Sequence, residues 1–136
     1  MIGILIVTHY RLAEEFLQAL RLIVGELKHF EAIGLDPSSP PEAMRSRIEK
    51  AIREADRGSG VLMLVDMFGG TPSNLCLSFL DDRRTEVVTG VNLPMLVKVA
   101  RVDEDMSLKE VAELAQDYGR RNISVASDVL AGRGKS

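Results

Sequence analysis

The sequence predicts an α/β fold in which a doubly wound, mainly parallel sheet has the strand order 2-1-3-4. Segments 2–9 and 61–66 are short, continuous apolar runs rich in β-branched residues, which is typical of parallel strands buried on both faces. Strand and helix patterns alternate along the chain, and consecutive parallel strands need helical crossovers. With 136 residues, 46% of them hydrophobic, the chain is long enough for one core. We expect a single domain at residues 1–131 and a frayed tail at 132–136.

The first half of the chain is predicted to contain two strands and two helices. After the first strand, apolar residues at four-residue spacing form one face of a helix that ends near Gly25. A second strand is expected at 30–35. The segment that follows it is rich in serine and proline, which predicts a serine cap and a helix at 42–56.

The second half continues the same alternation. Ser107 and Glu110 have the spacing of a capping box, which opens a helix with one apolar side. At the end of the chain, residues 123–130 alternate between apolar and polar side chains, the period of a strand with one buried face. Before the capping box we expect a strand at 61–66, a helix at 72–80, a strand at 85–91 and a short helix at 94–101.

Composition and charge exclude several classes of function. A net charge of -3 and the lack of basic runs argue against nucleic acid and against a membrane surface as partners. The longest apolar stretches are too short to span a bilayer, and the first residues have no signal-peptide pattern, so we expect a cytoplasmic protein. Cys76, the one cysteine, is expected to be a buried core residue. No cluster of His, Cys or carboxylates has metal-ligand spacing, so we expect neither a metal nor a cofactor.

A histidine and an aspartate follow the two apolar strands. His9 ends the first strand and Asp66 ends the third, and ligands collect at the carboxyl ends of neighbouring parallel strands. If Asp66 accepts the Nδ1 proton, Nε2 of His9 is left bare as a nucleophile, and the carboxylate steadies the positive charge of a phosphorylated ring. A histidine at a strand end is usually structural, but this pairing favours a catalytic, phosphorylatable residue. His29 has no such companion and is interpreted as structural or solvated.

The turn after Asp66 is suited to an anion. Gly69 and Gly70 allow the backbone to approach a ligand closely, and Thr71 is the expected cap of the next helix. Pro72 fits the first helical position, and the free amides of a helix N-terminus attract phosphoryl oxygens. Any strand-to-helix turn can use glycine and proline, so the motif alone is weak. No Gly-Lys-Ser/Thr follows, which excludes a P-loop nucleotide site.

Three motifs together resemble the IIA domain of the mannose (type 4) family of the phosphoenolpyruvate sugar phosphotransferase system (PTS). They are Thr8-His9, VDMFGGTPSN at 65–74 and GVNLPM at 90–95. The resemblance implies that His9 receives phosphate from the phosphocarrier protein HPr and holds it on Nε2, with Asp66 as its orienting partner. It also implies that Gly70 and Thr71 hydrogen-bond the phosphoryl oxygens. The family usually has glycine after the histidine, whereas this chain has Tyr10.

The resemblance and the last strand together predict partners. The family forms homodimers that exchange a C-terminal strand, and 123–130 matches that segment; pairing it with a partner's sheet would also remove an exposed edge. Because the sequence shows no IIB domain, we expect the phosphate to pass to a separate IIB protein. Four large side chains near the crevice are expected to form the docking patch for HPr: Tyr10, Met67, Phe68 and Met95.

Two alternatives to a sugar-transport relay stay open at this point. The chain can instead be a regulatory module whose phosphorylation state reports nutrient supply, and the sequence alone does not separate these roles. A weaker alternative is the phosphoryl-carrying subunit of a dihydroxyacetone kinase, which has a related fold. The turn at 69–74 argues against that last function.

Overall fold

The computed structural model describes residues 1–81 and 83–132 and contains a four-stranded, all-parallel sheet. The strand order is β2-β1-β3-β4, which confirms the predicted fold class and order. Register places Val7 of β1 opposite Val65 of β3, so these two central strands end at the same edge. The strands are β1 (Gly3–His9), β2 (Phe30–Leu35), β3 (Val61–Val65) and β4 (Thr85–Thr89).

Helices cover both faces of the sheet. The side chains of β1 and β3 alternate between two apolar clusters, one packed against α1, α4 and α5 and the other against α2 and α3. Each fully buried Ile or Leu in these clusters contributes about 1.5–3 kcal/mol relative to an exposed one. The helices of the described residues are α1 (Leu12–Val24), α2 (Pro41–Ala55), α3 (Thr71–Leu77), α4 (Leu93–Val99), α5 (Leu108–Arg121) and α6 (Ala126–Leu130).

The predicted N-terminal caps of α5 and α2 have opposite outcomes. The capping box of α5 is present, since Glu110 N–H donates to Ser107 Oγ at 3.1 Å and Ser107 N–H donates to Glu110 Oε1 at 2.9 Å. The expected serine cap of α2 is wrong. Pro40 is the N-cap residue, and Ser38 instead donates from its N–H and its hydroxyl to Asp36 Oδ1. Ser38 therefore forms a local turn with Asp36 instead of capping α2.

The end of α3 is earlier than predicted. The helix stops at Leu77 rather than at residue 80, because the next amides bond three residues back instead of four. Ser78 N–H donates to the Leu75 carbonyl at 3.2 Å, and the Ser78 hydroxyl donates to the same oxygen at 2.6 Å. This tight turn leads the chain towards β4.

The C-terminal segment is not the predicted strand. Ile123 and Val125 lie in irregular chain, and Ala126–Leu130 form the short helix α6. A strand needs a neighbouring edge for its hydrogen bonds, whereas α6 satisfies its own backbone: Val129 N–H donates to the Val125 carbonyl at 3.2 Å. Within this chain, the segment 123–130 therefore adds no fifth strand to the sheet.

Two further observations concern the chain as a whole. None of the described helices is both long and apolar enough to cross a membrane. Gly132 N–H donates to the Val129 carbonyl at 3.0 Å, which closes the last described turn. The rest of the tail expected at 132–136 lies outside the described residues.

Candidate functional site

His9 and Asp66 meet at the carboxyl edge of the sheet, as the sequence predicts. The ring nitrogen Nδ1 of His9 is 2.9 Å from Asp66 Oδ2, and the backbone N–H of His9 donates to the same oxygen at 3.0 Å. Met67 N–H donates to the other oxygen, Oδ1, at 3.0 Å. The carboxylate is thus fixed by two strand ends and in turn fixes the ring.

The electrostatics of the pair set the tautomer of the ring. Partial burial alone would raise the pKa of Asp66, but hydrogen bonds from the His9 backbone and ring, together with the ring's charge, hold that pKa below its ordinary value. An ionised carboxylate only accepts hydrogen bonds, so Nδ1 carries the proton that it donates to Asp66. The lone pair of the neutral ring then lies on Nε2. Half of the His9 side chain is exposed, against 12% of Asp66, so the ring is the accessible member of the pair.

Gly70 lies against the edge of the His9 ring that carries Nε2. A Cβ atom at this position would be 2.6 Å from His9 Cε1 and 2.8 Å from Nε2, closer than any real contact. Gly69 before it has φ +96°, a left-handed conformation that favours glycine. The predicted glycine turn therefore lies beside Nε2, and a side chain at Gly70 would occupy the space that a group bound there needs.

Thr71 is not the helix cap that the sequence predicts. Gly70 is the N-cap residue and makes no side-chain cap, Thr71 is the first residue of α3, and Pro72 is the second. The first intrahelical bond runs from Asn74 N–H to the Gly70 carbonyl at 2.9 Å. The amide of Thr71 precedes that bond and has no acceptor within the helix. Thr71 can therefore serve the site through its backbone N–H rather than as a cap.

The turn between β1 and α1 contains features that the sequence analysis missed. Buried Thr8 accepts the Ala13 N–H on its Oγ1 at 2.7 Å, which satisfies an amide at the start of α1. Tyr10 has φ +50°, the one left-handed residue other than glycine in the part of the chain that the structure describes. A Cβ at Gly34 would be 2.0 Å from the Tyr10 carbonyl oxygen, so this position requires glycine. A glycine within the β2 pattern was therefore the sequence signal for a close backbone approach at this turn.

Three of the four predicted docking residues are exposed. Tyr10 is 60% exposed, Met67 55% and Phe68 70%, and they follow the two paired residues directly in sequence. Met95 is wrong as a docking residue, because it is 3% exposed and packs in the core. Its N–H donates to Asn92 Oδ1 at the start of α4, and its methyl group lies 2.7 Å from where a Cβ of Gly119 would be. Close packing of α4 on α5 turns this side chain inward.

A cavity of about 270 Å³ adjoins His9 on the side of β2 and α2. The sequence analysis did not find it, because its walls come from the loop after β2 together with two helices that are distant in the chain. Most of its lining is apolar, and it includes Leu35, Pro37, Met44, Pro72 and Leu75. This cavity and exposed Tyr10 therefore adjoin the same histidine, while Met67 and Phe68 follow its partner Asp66.

The second predicted turn, Gly90-Val91-Asn92, lies beside the site. The N–H groups of Gly90 and Val91 both donate to the Val65 carbonyl, at 2.9 and 3.0 Å, directly before Asp66. The side chain of Asn92 donates to the Gly119 carbonyl at 3.0 Å. This turn supports the end of β3 without contributing a reactive group.

His29 and Cys76 have the structural surroundings that the sequence predicts. His29 precedes β2 at the amino edge of the sheet, and burial together with the charge of the N-terminus lowers its pKa. Cys76 is fully buried within α3, and burial raises the pKa of its thiol to about 12. Across residues 1–81 and 83–132, no group of three or more His, Cys, Asp and Glu side chains is placed to hold a metal ion.

Comparison with known proteins gives a consistent set of relatives. Residues 3–116 match the protein family described as PTS system fructose IIA component. The chain is 34% identical over 124 residues to the PTS system mannose-specific EIIAB component of Escherichia coli (strain K12), covering 90% of this chain but 38% of that protein. It is 28% identical over 131 residues to the PTS system fructose-specific EIIA component of Bacillus subtilis (strain 168), covering 96% of this chain and 90% of that one. A solved structure, the mannose/sorbose specific IIA subunit from Enterococcus faecalis, aligns with a TM-score of 0.81 at 26% identity, over 91% of this chain and 93% of that one.

Proposed function

The chain belongs to the PTS fructose IIA component family, and on that premise we propose that it is a phosphoryl carrier with a phosphohistidine intermediate at His9. In this proposal HPr supplies the phosphoryl group, and a IIB protein accepts it. One observation carries the proposal: Nδ1 of His9 is engaged by Asp66 at 2.9 Å while Nε2 faces the glycine turn. The names of the relatives include mannose, fructose and sorbose, so the proposal concerns the phosphoryl step that these relatives would share.

The reaction requires no net proton transfer at the ring. The lone pair of Nε2 attacks phosphorus, the bond from phosphorus to the donor breaks, and the donor leaves with that electron pair. Nδ1 keeps its proton, and the carboxylate of Asp66 stabilises the positive ring that results. The backbone at Gly69, Gly70 and Thr71 then lies beside the new phosphoryl oxygens, where amide groups stabilise negative charge.

Transfer to IIB is the same step in reverse at the ring. The phosphoryl group leaves Nε2 for the nucleophile of the acceptor, and the neutral ring is restored with its proton still on Nδ1. Because phosphoryl transfer depends mainly on positioning and charge stabilisation, a ring held by one carboxylate serves both directions.

Both partners must bring a reactive atom within bonding distance of Nε2, so we assign their docking surface to the residues around it. Tyr10, Met67 and Phe68 are exposed there, and aromatic residues and methionine are enriched in protein interfaces. The apolar cavity next to His9 continues that surface towards α2. We place this relay in the cytoplasm with its proposed donor.

We also propose that the protein forms a homodimer. Because residues 123–130 form no strand in the structure, the proposed dimer does not rest on strand exchange. The C-terminal segment leaves four large apolar side chains exposed, from 48% to 88% of their surface: Ile123, Val125, Val129 and Leu130. β4 is an edge strand of the sheet with no strand beyond it in the described residues. Burying these side chains against a second copy would remove apolar surface from water, which is the main driving force for such association.

Labelling with phosphoenolpyruvate, enzyme I and HPr tests the proposed function. The wild-type protein is expected to take up one acid-labile phosphoryl group, and His9→Ala none, because no other described side chain combines a nucleophile with an orienting carboxylate and a glycine turn. His29→Ala is the matched control and is expected to label like the wild type. Labelling of His9→Ala together with loss of labelling in His29→Ala would reject the assignment.

A further inference from the structure

We propose that Arg11 binds the phosphoryl group carried by His9, and that the ring of Tyr10 positions the Arg11 guanidinium for this contact. The inference rests on the proposed function, since it concerns the phosphorylated form of the same site. Its ligand is a dianionic phosphoryl group on Nε2. Arg11 would be a residue that touches the reacting group, whereas Tyr10 would act through Arg11.

The first argument is the charge of the site. Two short segments frame the ring, residues 9–11 and 66–71, and apart from the ring itself Arg11 is their one cationic side chain. The other charged group there is Asp66, which is negative. Within these two segments, Arg11 is therefore the one side chain that can add a fixed positive charge to the backbone amides around a phosphoryl dianion on Nε2. A guanidinium matches phosphoryl oxygens with two parallel N–H donors.

The second argument is that the charge of Arg11 is uncommitted in the structure. No carboxylate of the described residues lies within ion-pair distance of its guanidinium. Glu14, one helical turn further on, is directed elsewhere: its Oε1 lies 2.5 Å from where a Cβ of Gly34 would be. Arg11 is exposed at the N-cap position of α1, two residues after His9, and two residues span at most about 7 Å of chain. The two Cα atoms are therefore close enough for an extended arginine side chain to reach the surroundings of the His9 ring.

The third argument concerns Tyr10. The guanidinium carbon of Arg11 lies 5.9 Å from the centre of the Tyr10 ring, within the range of a cation–π contact. Tyr10 is held in its left-handed conformation by two backbone contacts, its N–H donating to the Leu35 carbonyl at 2.8 Å and its carbonyl lying against Gly34. Glycine would adopt this conformation without strain. A strained aromatic residue beside a nucleophile points to a role for its side chain.

The test uses potassium phosphoramidate as a small phosphoryl donor, so that no protein docking enters the measurement. Phosphorus NMR follows the phosphohistidine of the wild type and of Arg11→Gln across pH. Loss of the guanidinium is expected to raise the pKa of the phosphoryl group by roughly 0.7 unit, and to slow phosphorylation by about tenfold. Arg11→Lys keeps the positive charge but lacks the two parallel N–H donors of the guanidinium. It should bring the phosphoryl pKa most of the way back to the wild-type value, and the phosphorylation rate less so.

Arg21→Gln is the matched control. It removes the same charge from the same helix, ten residues or about 15 Å further along, where Arg21 donates to Gln18 Oε1 at 3.3 Å. It is expected to behave like the wild type. Equal effects of Arg11→Gln and Arg21→Gln, or no effect of either, would overturn the role of Arg11 while leaving His9 phosphorylation intact. Failure of the wild type to form phosphohistidine would overturn the proposed function and this inference with it.

The position of Tyr10 is tested by two substitutions that both keep a side chain at the strained residue. Tyr10→Phe retains the aromatic face and is expected to match the wild type in phosphoryl pKa and rate. Tyr10→Leu removes that face and is expected to shift both in the direction of Arg11→Gln. If Tyr10→Leu and Tyr10→Phe behave alike, the ring does not position Arg11.

Discussion

Two aspartates flank β3, and their side-chain partners differ in whether a nitrogen atom with a lone pair remains. Asp56, before the strand, accepts the Gly58 N–H at 2.9 Å and the Gly60 N–H at 3.2 Å, and it pairs with the guanidinium of Arg84. Asp66, after the strand, accepts two hydrogen bonds from His9 and one from Met67. Each carboxylate therefore has two backbone donors and one side-chain partner.

The difference lies in the chemistry of that partner. Arg84 has only donors, so its contact with Asp56 closes a turn at the amino edge of the sheet and leaves nothing reactive. The imidazole of His9 uses one nitrogen to bind Asp66, and the second nitrogen, on a half-exposed side chain, takes no part in that contact. Nearly the same carboxylate arrangement thus gives a structural ion pair at one end of a strand and, in the proposed function, a nucleophile at the other.

Gly70→Ala is expected to have the largest effect, because it blocks the open nitrogen that distinguishes the two sites. Gly70 has φ −99° and ψ 177°, which alanine adopts freely, so the fold should lose about 1 kcal/mol at most, mainly as a poorer helix cap. The new methyl group would clash with the His9 ring, 2.8 Å from Nε2 in the present geometry, so the ring must move, and phosphorylation by HPr should fall by at least about 100-fold. Stopped-flow transfer rates and a urea unfolding curve measure the two effects. A rate near that of the wild type would show that the phosphoryl group approaches the ring from another side.

Asp66→Asn is expected to have the next largest effect. An amide supplies one oxygen, so it cannot accept from both His9 and Met67 as the carboxylate does, and it has no charge to stabilise phosphohistidine. Replacing the aspartate of a hydrolase triad by asparagine costs about 10⁴ in rate. We expect a smaller loss here, about 10- to 100-fold in transfer from HPr, because the His9 ring is half exposed. Equal rates in the variant and the wild type would remove the carboxylate from the mechanism.

Asp56→Asn is expected to change stability and leave transfer unchanged. Burial would raise the pKa of Asp56, but hydrogen bonds from Gly58, Arg84 and Gly60 hold that pKa below its ordinary value of 3.8. A depressed pKa means that the ionised form stabilises the fold above about pH 4, and that this contribution is lost as pH falls through the folded pKa. The variant should lose about 1 kcal/mol in the free energy of unfolding at pH 7, and the gap to the wild type should narrow towards pH 2.

Urea unfolding of both proteins at several pH values measures that difference, and the HPr transfer assay is its control. A loss of transfer in Asp56→Asn that is comparable to the loss in Asp66→Asn would contradict the division between a structural and a reactive carboxylate. A stability difference that persists unchanged at pH 2 would show that the Asp56 charge is not its cause.

The central part of the fold and the His9–Asp66 pair could be predicted because their signals are local and strong. Continuous apolar runs identify strands with two buried faces, and the residue that follows such a run necessarily lies at the carboxyl edge of the sheet. The pairing then required only that the two strands be neighbours, which the order 2-1-3-4 provides. No long-range detail was needed for this part of the site.

The errors arose where a side chain's surroundings depend on distant residues. Met95 follows a turn near the site, but Gly119 of α5 has no side chain and so admits Met95 into the core. Residues 123–130 have the alternation of a strand, yet pattern alone supplies no edge for the strand to pair with, and the segment forms α6 instead. The left-handed Tyr10 depends likewise on Gly34 in another strand, which is contiguous with it only after folding.

Cys76 gives the molecule an internal reporter of the helix that carries the glycine turn. Its thiol is fully buried under α3, and a pKa of about 12 keeps it protonated and unreactive while that helix is in place. Alkylation of Cys76 therefore requires a transient opening of α3, so its rate under native conditions measures the local unfolding equilibrium of the helix that follows the glycine turn. A chain with one cysteine thus reports how rigidly it holds the turn beside His9, without any added probe.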